Sequence, residues 1–465
     1  MIVYGAVAPH PPMLIPEIGG RDLTQVERTV AGMNRLAAEI VKRDPQILVV
    51  ITPHGNVFRD AVSILGDPQL KGNLAQFGQR KLEFRHPNCL EFLELLQSKA
   101  ATHHIPVVAI TGQQDELGLN PHLDHGITVP LHYLKQGGLK EIPLLAVSYG
   151  MIPLEDLYRF GMLLREAADE LGLRTVVLAS GDMSHRLKEE GPYSYHPDGP
   201  VFDRQVKELI GQGRTLDLLR IPADLRENAG ECGYRSLVVL MGSMDGHSFT
   251  PQVFSYEGPF GVGYLVAGLN PKGGRTASLY TQLVQQRQQK IRERRERESP
   301  LVRWARQSLE AYVESGRRLP PPEPLPEEMN CAAAAFVSLK KDGQLRGCIG
   351  TLQPVRANLA LEIRENVISA GTQDYRFSPV QKEELPELEY SVDVLSRPEP
   401  VQSISELDPK RYGVIVRQGS KSGVLLPDLE GVDTAEQQVG IAMQKAGIRP
   451  GSKVDLERFE VRRFY

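Results

Sequence analysis

TVVLASGDMSH, residues 175–185, is the stretch on which the reading of this chain turns. Its first half is apolar and β-branched, and it empties without transition into a Gly-Asp-Met-Ser-His turn. A strand that ends in a polar loop is how α/β folds present chemistry at the carboxyl edge of a sheet. Two other runs repeat the arrangement. IVYGAVAPH, residues 2–10, and ILVVITPH, residues 47–54, are apolar runs that finish on a histidine preceded by proline. Proline fixes its own φ and biases the residue before it toward extended backbone, so His10 and His54 leave their strands in the same way. A single loop histidine is ordinarily just solvated. Three at strand ends point to convergence on one crevice.

Working outward, the 465 residues exceed one ordinary domain and imply two or three. A formal net charge of −4 carries none of the basic asymmetry by which proteins collect phosphates, so nucleic acid is not an expected partner. No apolar run reaches the roughly 18 residues of a membrane span. The start, MIVYGAVAPHPP, lacks a basic leader and runs straight into a strand pattern. Cys89, Cys232, Cys331 and Cys348 are too few and too scattered for a disulfide framework or a zinc finger. A reduced, cytoplasmic setting is expected.

Residues 1–270 alternate between strand and helix patterns. Helices are predicted at 22–42, 90–100, 154–171 and 201–212, with further strands at 107–110 and 143–148. The near-continuous apolar strand 47–52 is the kind covered on both faces, which predicts a central, mostly parallel sheet in an α/β domain. Residues 271–295 change to a Gln/Arg/Lys/Glu composition with no interleaved aromatics, read as a solvated linker helix rather than a nucleic-acid arm. A second, α+β domain follows over 296–465. Its first helix, 301–314, is expected to bury Leu301, Ala305, Leu309 and Tyr312, and Trp304 with them. A hairpin over 332–351 is expected to turn at Asp342-Gly343, and further helices are read at 354–370 and 433–446.

His10 and His54, read as the ends of successive parallel strands, could lie side by side where ligands bind in such folds. Neutral imidazoles suit iron, zinc or copper, and a carboxylate would complete a two-histidine, one-carboxylate face that leaves about half of a ferrous coordination sphere open. Glu231, in ENAGECGYRSLVVL, is the carboxylate candidate. In the second domain Arg346-Gly347-Cys348-Ile349-Gly350 ends a probable strand. A thiol activated by the neighbouring guanidinium is one reading; a small buried residue between glycines is the preferred one. Asp374 and Arg376 belong to a second motif there, lining a groove or stapling a loop.

These residues carry a family resemblance. VAPHPPMLIPEIG, ITPHG, LDHGITVPL (123–131), SGDMSH and AGECGYRSL (229–237), taken in order, resemble the LigB-like catalytic subunits of class III extradiol ring-cleavage dioxygenases and their Memo-like relatives. AFVSLKKDGQLRGCIGTLQP, TQDYRFSPV, VDVLS and KAGI are similar, in order, to the AMMECR family. The resemblance implies a fusion of the two, from a system in which a radical-SAM protein is the third member. It implies Fe(II) held by His10, His54 and Glu231, with an aromatic substrate and O2. His185 falls on the family's acid/base histidine, a role its ordinary pKa suits. His125 falls on its second pocket histidine, and Asp182 could orient His185. Memo-like proteins carry a cysteine of a CG motif at the third position, which makes Cys232 the alternative ligand and Zn or Cu the alternative metal. Adjacent residues rarely face one ion together, so Glu231 is favoured and Cys232 held against it. Ring cleavage, a Memo-like metal or redox role beside a radical-SAM partner, and a zinc hydrolase are the three functions weighed. Pairing of exposed sheet edges into a homodimer is left open.

Overall fold

The computed structural model describes residues 1–341, 344–429 and 431–465. It divides into two compact units, 1–285 and 286–465.

The first unit is built on an eight-stranded sheet. Its members are β1 (Ile2–Ala8), β2 (Ile47–Thr52), β3 (Val62–Leu65), β6 (Val107–Ile110), β7 (Leu144–Ser148), β8 (Thr175–Ser180), β9 (His247–Glu257) and β10 (Tyr264–Arg275), with β4 (Gln69–Leu74) and β5 (Gln79–Pro87) forming a separate hairpin. The order is β6-β3-β7-β2-β8-β1-β10-β9. Strands β7, β2, β8 and β1 run parallel, whereas β3 meets β7 and β10 meets both β1 and β9 antiparallel. The sheet is therefore mixed, with a parallel centre. β1 and β2 are not neighbours as the sequence suggested, because β8 lies between them and pairs with both.

Each central strand is buried on both faces, which is why it is apolar without alternation. In β2, Ile47, Val49 and Ile51 enter one core and Leu48 and Val50 the other. The first core also takes helices Leu90–Thr102, Leu154–Glu170, Asp198–Gln212 and Tyr234–Ser243; the second takes Glu27–Val41 and His125–Gln136. Helix His125–Gln136, which the sequence reading did not include, contains Pro130. Asp124 caps it, accepting from the Gly126 N–H at 2.7 Å. β10 continues through Pro271 to Arg275, into what composition marked as linker, since Pro271 and Arg275 still pair with Phe249 and His247. Helix Tyr280–Arg297 comes next. Among the described residues no helix is long and apolar enough to cross a membrane.

The second unit is an antiparallel sheet. β11 (Ala334–Lys341), β12 (Gln344–Gly350), β13 (Glu389–Leu395), β15 (Tyr412–Gln418), β16 (Lys421–Leu425) and β17 (Asp455–Phe464) run in the order β12-β11-β13-β17-β15-β16, and β14 (Glu399–Val401) joins β17. The Asp342-Gly343 turn lies outside the described residues. Helix Pro300–Ser315 buries Leu301, Trp304, Ala305 and Leu309, as its spacing predicts, while Tyr312 is only partly buried against the same core, and Trp304 donates its indole N–H to the Ala360 carbonyl. The next helix starts at Leu359, later than predicted. Buried Glu362 holds the preceding segment in a loop, accepting from the Thr351 hydroxyl and from the Val355 and Arg356 N–H groups.

Candidate metal centre

Three adjacent parallel strands, β1, β8 and β2, end at one edge, and the site is assembled from histidines beyond these strands, with His125 from the start of helix His125–Gln136 and Cys232 from the connection ahead of helix Tyr234–Ser243. His10 and His54 are each the second residue beyond their strands. His10 is 2% exposed. Its Nδ1 lies 3.0 Å from Ser180 Oγ, and that hydroxyl donates to the Gly126 carbonyl. Ser180 has thus committed its own proton and accepts from His10 Nδ1–H. The tautomer is fixed, and His10 Nε2 is left as a lone pair facing the site. It sits 2.9 Å from His54 Nε2. Burial, and then the neighbouring His54, His125 and His185, hold His10 well below the usual imidazole range; burial lowers His54 too. Both rings are neutral at neutral pH, the state in which an imidazole could take a metal.

The third donor is sulfur. Cys232 Sγ lies 3.8 Å from His10 Nε2, and the ligand atoms of His10, His54 and Cys232 all lie within 4.8 Å of one another. Glu231, the favoured expectation, turns elsewhere: its Oε2 accepts from the Tyr234 N–H at 2.6 Å, at the start of helix Tyr234–Ser243. A carboxylate there meets the positive end of the helix. Burial still raises its pKa to about 7, against the pull of that N–H and of Arg226 and Arg235. What brings Cys232 in is a glycine contact. A Cβ on Gly181 would stand 2.1 Å from Gly233 Cα, so only glycine lets the two loops touch. The Asp182 N–H then reaches Cys232 Sγ at 3.3 Å, and the Asp182 carbonyl accepts from Gly233 N–H.

Asp182 does not orient His185. Its Oδ1 accepts from the His10 backbone N–H at 3.1 Å, and its Oδ2 stands 3.9 Å from His10 Nε2, so it serves His10 and the cysteine loop. Burial raises it to about 7. His185 instead offers Nε2 to Cys232 Sγ at 3.8 Å, and burial, then His54, brings its pKa down to about 4. His125 stacks on His54, with ring centroids 4.1 Å apart and an interplanar angle of 28°, and meets Phe77 edge-on. It too is lowered to about 4 by burial first and His54 second. Its place is set by Asp124, which accepts from Thr52 Oγ1 at 2.7 Å and is raised to about 6 by burial. His122 is exposed. Ser180, Thr52, Asp124 and Phe77 escaped the sequence reading, since nothing local distinguishes them from ordinary strand-end residues.

The donor set fits a metal. Two nitrogen lone pairs at 2.9 Å repel unless a proton or cation lies between them. Tetrahedral donors at usual bond lengths, near 2.0 Å for nitrogen and 2.3 Å for sulfur, stand about 3.3 Å (N to N) and 3.6 Å (N to S) apart. The observed 2.9 and 3.8 Å are within a few tenths of these.

In the second unit the structure brings Cys348, Asp374 and Arg376 together and sends Arg346 elsewhere. Cys348 N–H donates to Asp374 Oδ2 at 2.9 Å, Arg376 donates to the Cys348 carbonyl, and Arg376 pairs with Asp374 at 2.6 Å. Arg346 forms a two-pronged pair with Glu384 at 3.0 and 2.9 Å. Burial raises the Cys348 thiol, and the Ser338 hydroxyl and Arg376 only partly oppose this. Cys348 is thus a half-buried residue on an edge strand, its thiol raised and its backbone N–H and carbonyl tied to the Asp374–Arg376 pair.

A three-layer α/β domain with histidines beyond the carboxyl ends of parallel strands and a cysteine brought to them from a helix–helix connection, joined to an antiparallel α+β domain, defines the class. Residues 4–267 match the family described as the catalytic LigB subunit of aromatic ring-opening dioxygenase, and 302–464 match AMMECR1. The chain belongs to the LigB family through its first domain and carries an AMMECR1 domain as its second. Protein CA_C1420 of Clostridium acetobutylicum is 38% identical over 458 residues, covering 98% of this chain and 97% of its own. A Thermotoga maritima protein is 55% identical over 170 residues, 36% of this chain and 98% of its own. Among solved structures, uncharacterized protein PH0010 of Pyrococcus horikoshii is 30% identical with a TM-score of 0.33, covering 35% of this chain and 88% of its own.

Proposed function

We propose that His10, His54 and Cys232 bind one metal ion and that His185 and His125 handle protons and ligand atoms beside it, in a redox or Lewis-acid reaction on a small molecule. The observation that carries this is the convergence of two imidazole nitrogens and one thiol sulfur within 4.8 Å. A bound ion would supply a Lewis acid and, with copper or iron, a redox centre. Thiolate and imidazole donors favour Zn or Cu over a hard oxygen-loving ion. Ser180 and Asp182 hold His10 from its side chain and its backbone. His185, neutral at pH 7, accepts a proton from a ligand rather than donating one. This is the Memo-like reading, which also brings a radical-SAM protein into consideration as partner. Membership of the LigB family and the neutral His185–His125 pair support a second reading: Fe(II)- and O2-dependent ring opening of a catechol-like substrate, with Glu231 moved in as ligand. On either reading the AMMECR1 domain takes part in recognising what the first domain acts on.

Metal analysis of anaerobically purified protein tests this. Stoichiometric metal lost in His10→Ala and Cys232→Ala but kept in Glu231→Ala supports the first reading. Iron lost with Glu231 and kept without Cys232 supports the second. Absence of metal from wild type refutes both.

A further inference from the structure

Residues 181–197, between β8 and helix Asp198–Gln212, form neither helix nor strand. Loops of this length inside compact domains are uncommon and are usually lids or binding loops. The base of this one is fastened. Met183 N–H donates to the Gly263 carbonyl, Leu187 N–H to the Gly261 carbonyl and His196 N–H to the Arg186 carbonyl, while Ser184 N–H reaches Asp203 Oδ1 at 2.7 Å. Lys188 Nζ is anchored on the Pro259 carbonyl. Beyond it the tip leaves the body at a backbone crossing: a Cβ on Gly261, whose φ is +80°, would stand 2.7 Å from Gly191 Cα. From there residues 192–195 are exposed. Tyr193 is 55% exposed, yet its ring lies face to face with His185, centroids 5.8 Å apart and planes 17° apart. His185 in turn holds Nε2 toward Cys232 Sγ. One exposed aromatic ring thus lies parallel to His185, the histidine that reaches the donor cluster through Cys232.

We propose that Tyr193 is the lid of this site and its specificity wall: with no ligand it covers His185 and Cys232, and it stacks on a flat aromatic ligand when one enters. This rests on the site described above being a ligand site, and its test does not depend on which metal is bound. The stacking geometry, offset rings within the 4.5–7 Å range of aromatic pairs, is the reason to commit to a planar aromatic ligand rather than a flexible aliphatic one. The ring matters here and the hydroxyl does not, because among the described residues no hydrogen bond of the Tyr193 hydroxyl holds the stack.

The full-length chain, treated with a chelator, is labelled with iodoacetamide, and each cysteine is followed by peptide mass spectrometry, with and without catechol as the probe. Exposed Cys331 is the internal reference. Tyr193→Ala is expected to speed Cys232 labelling about 5-fold relative to Cys331, as loss of one aromatic stack implies, with Cys89 and Cys348 unchanged. Tyr193→Phe is expected to behave as wild type. Catechol is expected to slow Cys232 labelling in wild type and in Tyr193→Phe, and not in Tyr193→Ala. Unchanged Cys232 labelling in Tyr193→Ala overturns the lid. So does a Tyr193→Phe variant that labels like Tyr193→Ala. Absence of catechol protection in wild type, or equal protection in Tyr193→Ala, overturns the wall. Acceleration at all four cysteines reports unfolding; with the milder Tyr193→Leu in its place, unchanged Cys232 labelling again overturns the lid and selective acceleration supports it. Failure of the metal reading shows separately, in the metal content of His10→Ala and Cys232→Ala.

Discussion

Ser180→Ala removes one hydroxyl and no ligand, yet it should weaken metal binding. In the wild type, Ser180 gives its proton to the Gly126 carbonyl and accepts from His10 Nδ1–H at 3.0 Å. With alanine there, that N–H is buried without an acceptor, since His10 is 2% exposed. Leaving a buried donor unpaired costs about 1–3 kcal/mol. The ring can escape by moving its proton to Nε2, which then faces His54 Nε2 at 2.9 Å and no longer offers a lone pair. Either way binding must repay the difference, and loss of the group that orients a metal-binding histidine typically lowers affinity about 10- to 100-fold. Competition for Zn(II) against a chromophoric chelator, with wild type, Ser180→Ala and Ser180→Thr, measures this. The threonine variant, which restores the hydroxyl, should recover most of the loss. An alanine variant within about two-fold of wild type would refute the tautomer argument.

Gly181→Ala places a methyl 2.1 Å from Gly233 Cα, so the two loops must separate; we expect about 2–3 kcal/mol of destabilisation and a melting temperature lower by roughly 5–10 °C, and a wild-type melt would remove the glycine contact from the account. Asp374 is held down to about 2, first by its hydrogen bond from Arg376, against 3.8 for the free side chain. Its folded pKa is depressed, so between those values the unfolded chain binds a proton that the folded chain does not, and the stabilisation is full above about pH 4 and lost as pH falls through about 2. Urea unfolding of wild type and Asp374→Asn should therefore show a gap that is constant from pH 6 to about 4 and narrows toward pH 3; a gap that widens on acidification contradicts the assignment. Cys348, half-buried and with its thiol raised, should react with iodoacetamide more slowly than exposed Cys331 at pH 7.5, and faster labelling of Cys348 would support the reactive-thiol reading.

Most elements of both domains were legible locally, because periodicity and turn chemistry act over a few residues. The runs at 2–8, 47–52 and 175–180 were read as strands and are strands, and their histidines do gather. His125–Gln136 was missed because Pro130 masks its helical spacing and its start depends on the Asp124 cap. Strand order was not legible, since β8 enters between β1 and β2 only after more than a hundred further residues have been placed around them. Glu231 against Cys232 is the sharper case. By itself the sequence indicated that the two neighbours would rarely both face one ion and that two histidines would want a third donor. Which one turned inward was decided by tertiary structure alone: by the backbone crossing of Gly181 on Gly233, which aims the sulfur at His10, and by the helix N-terminus at Tyr234, which draws the carboxylate away. Side chains i and i+1 differ in direction by a backbone rotation, and that rotation is set by what the loop packs against, residues distant in the chain.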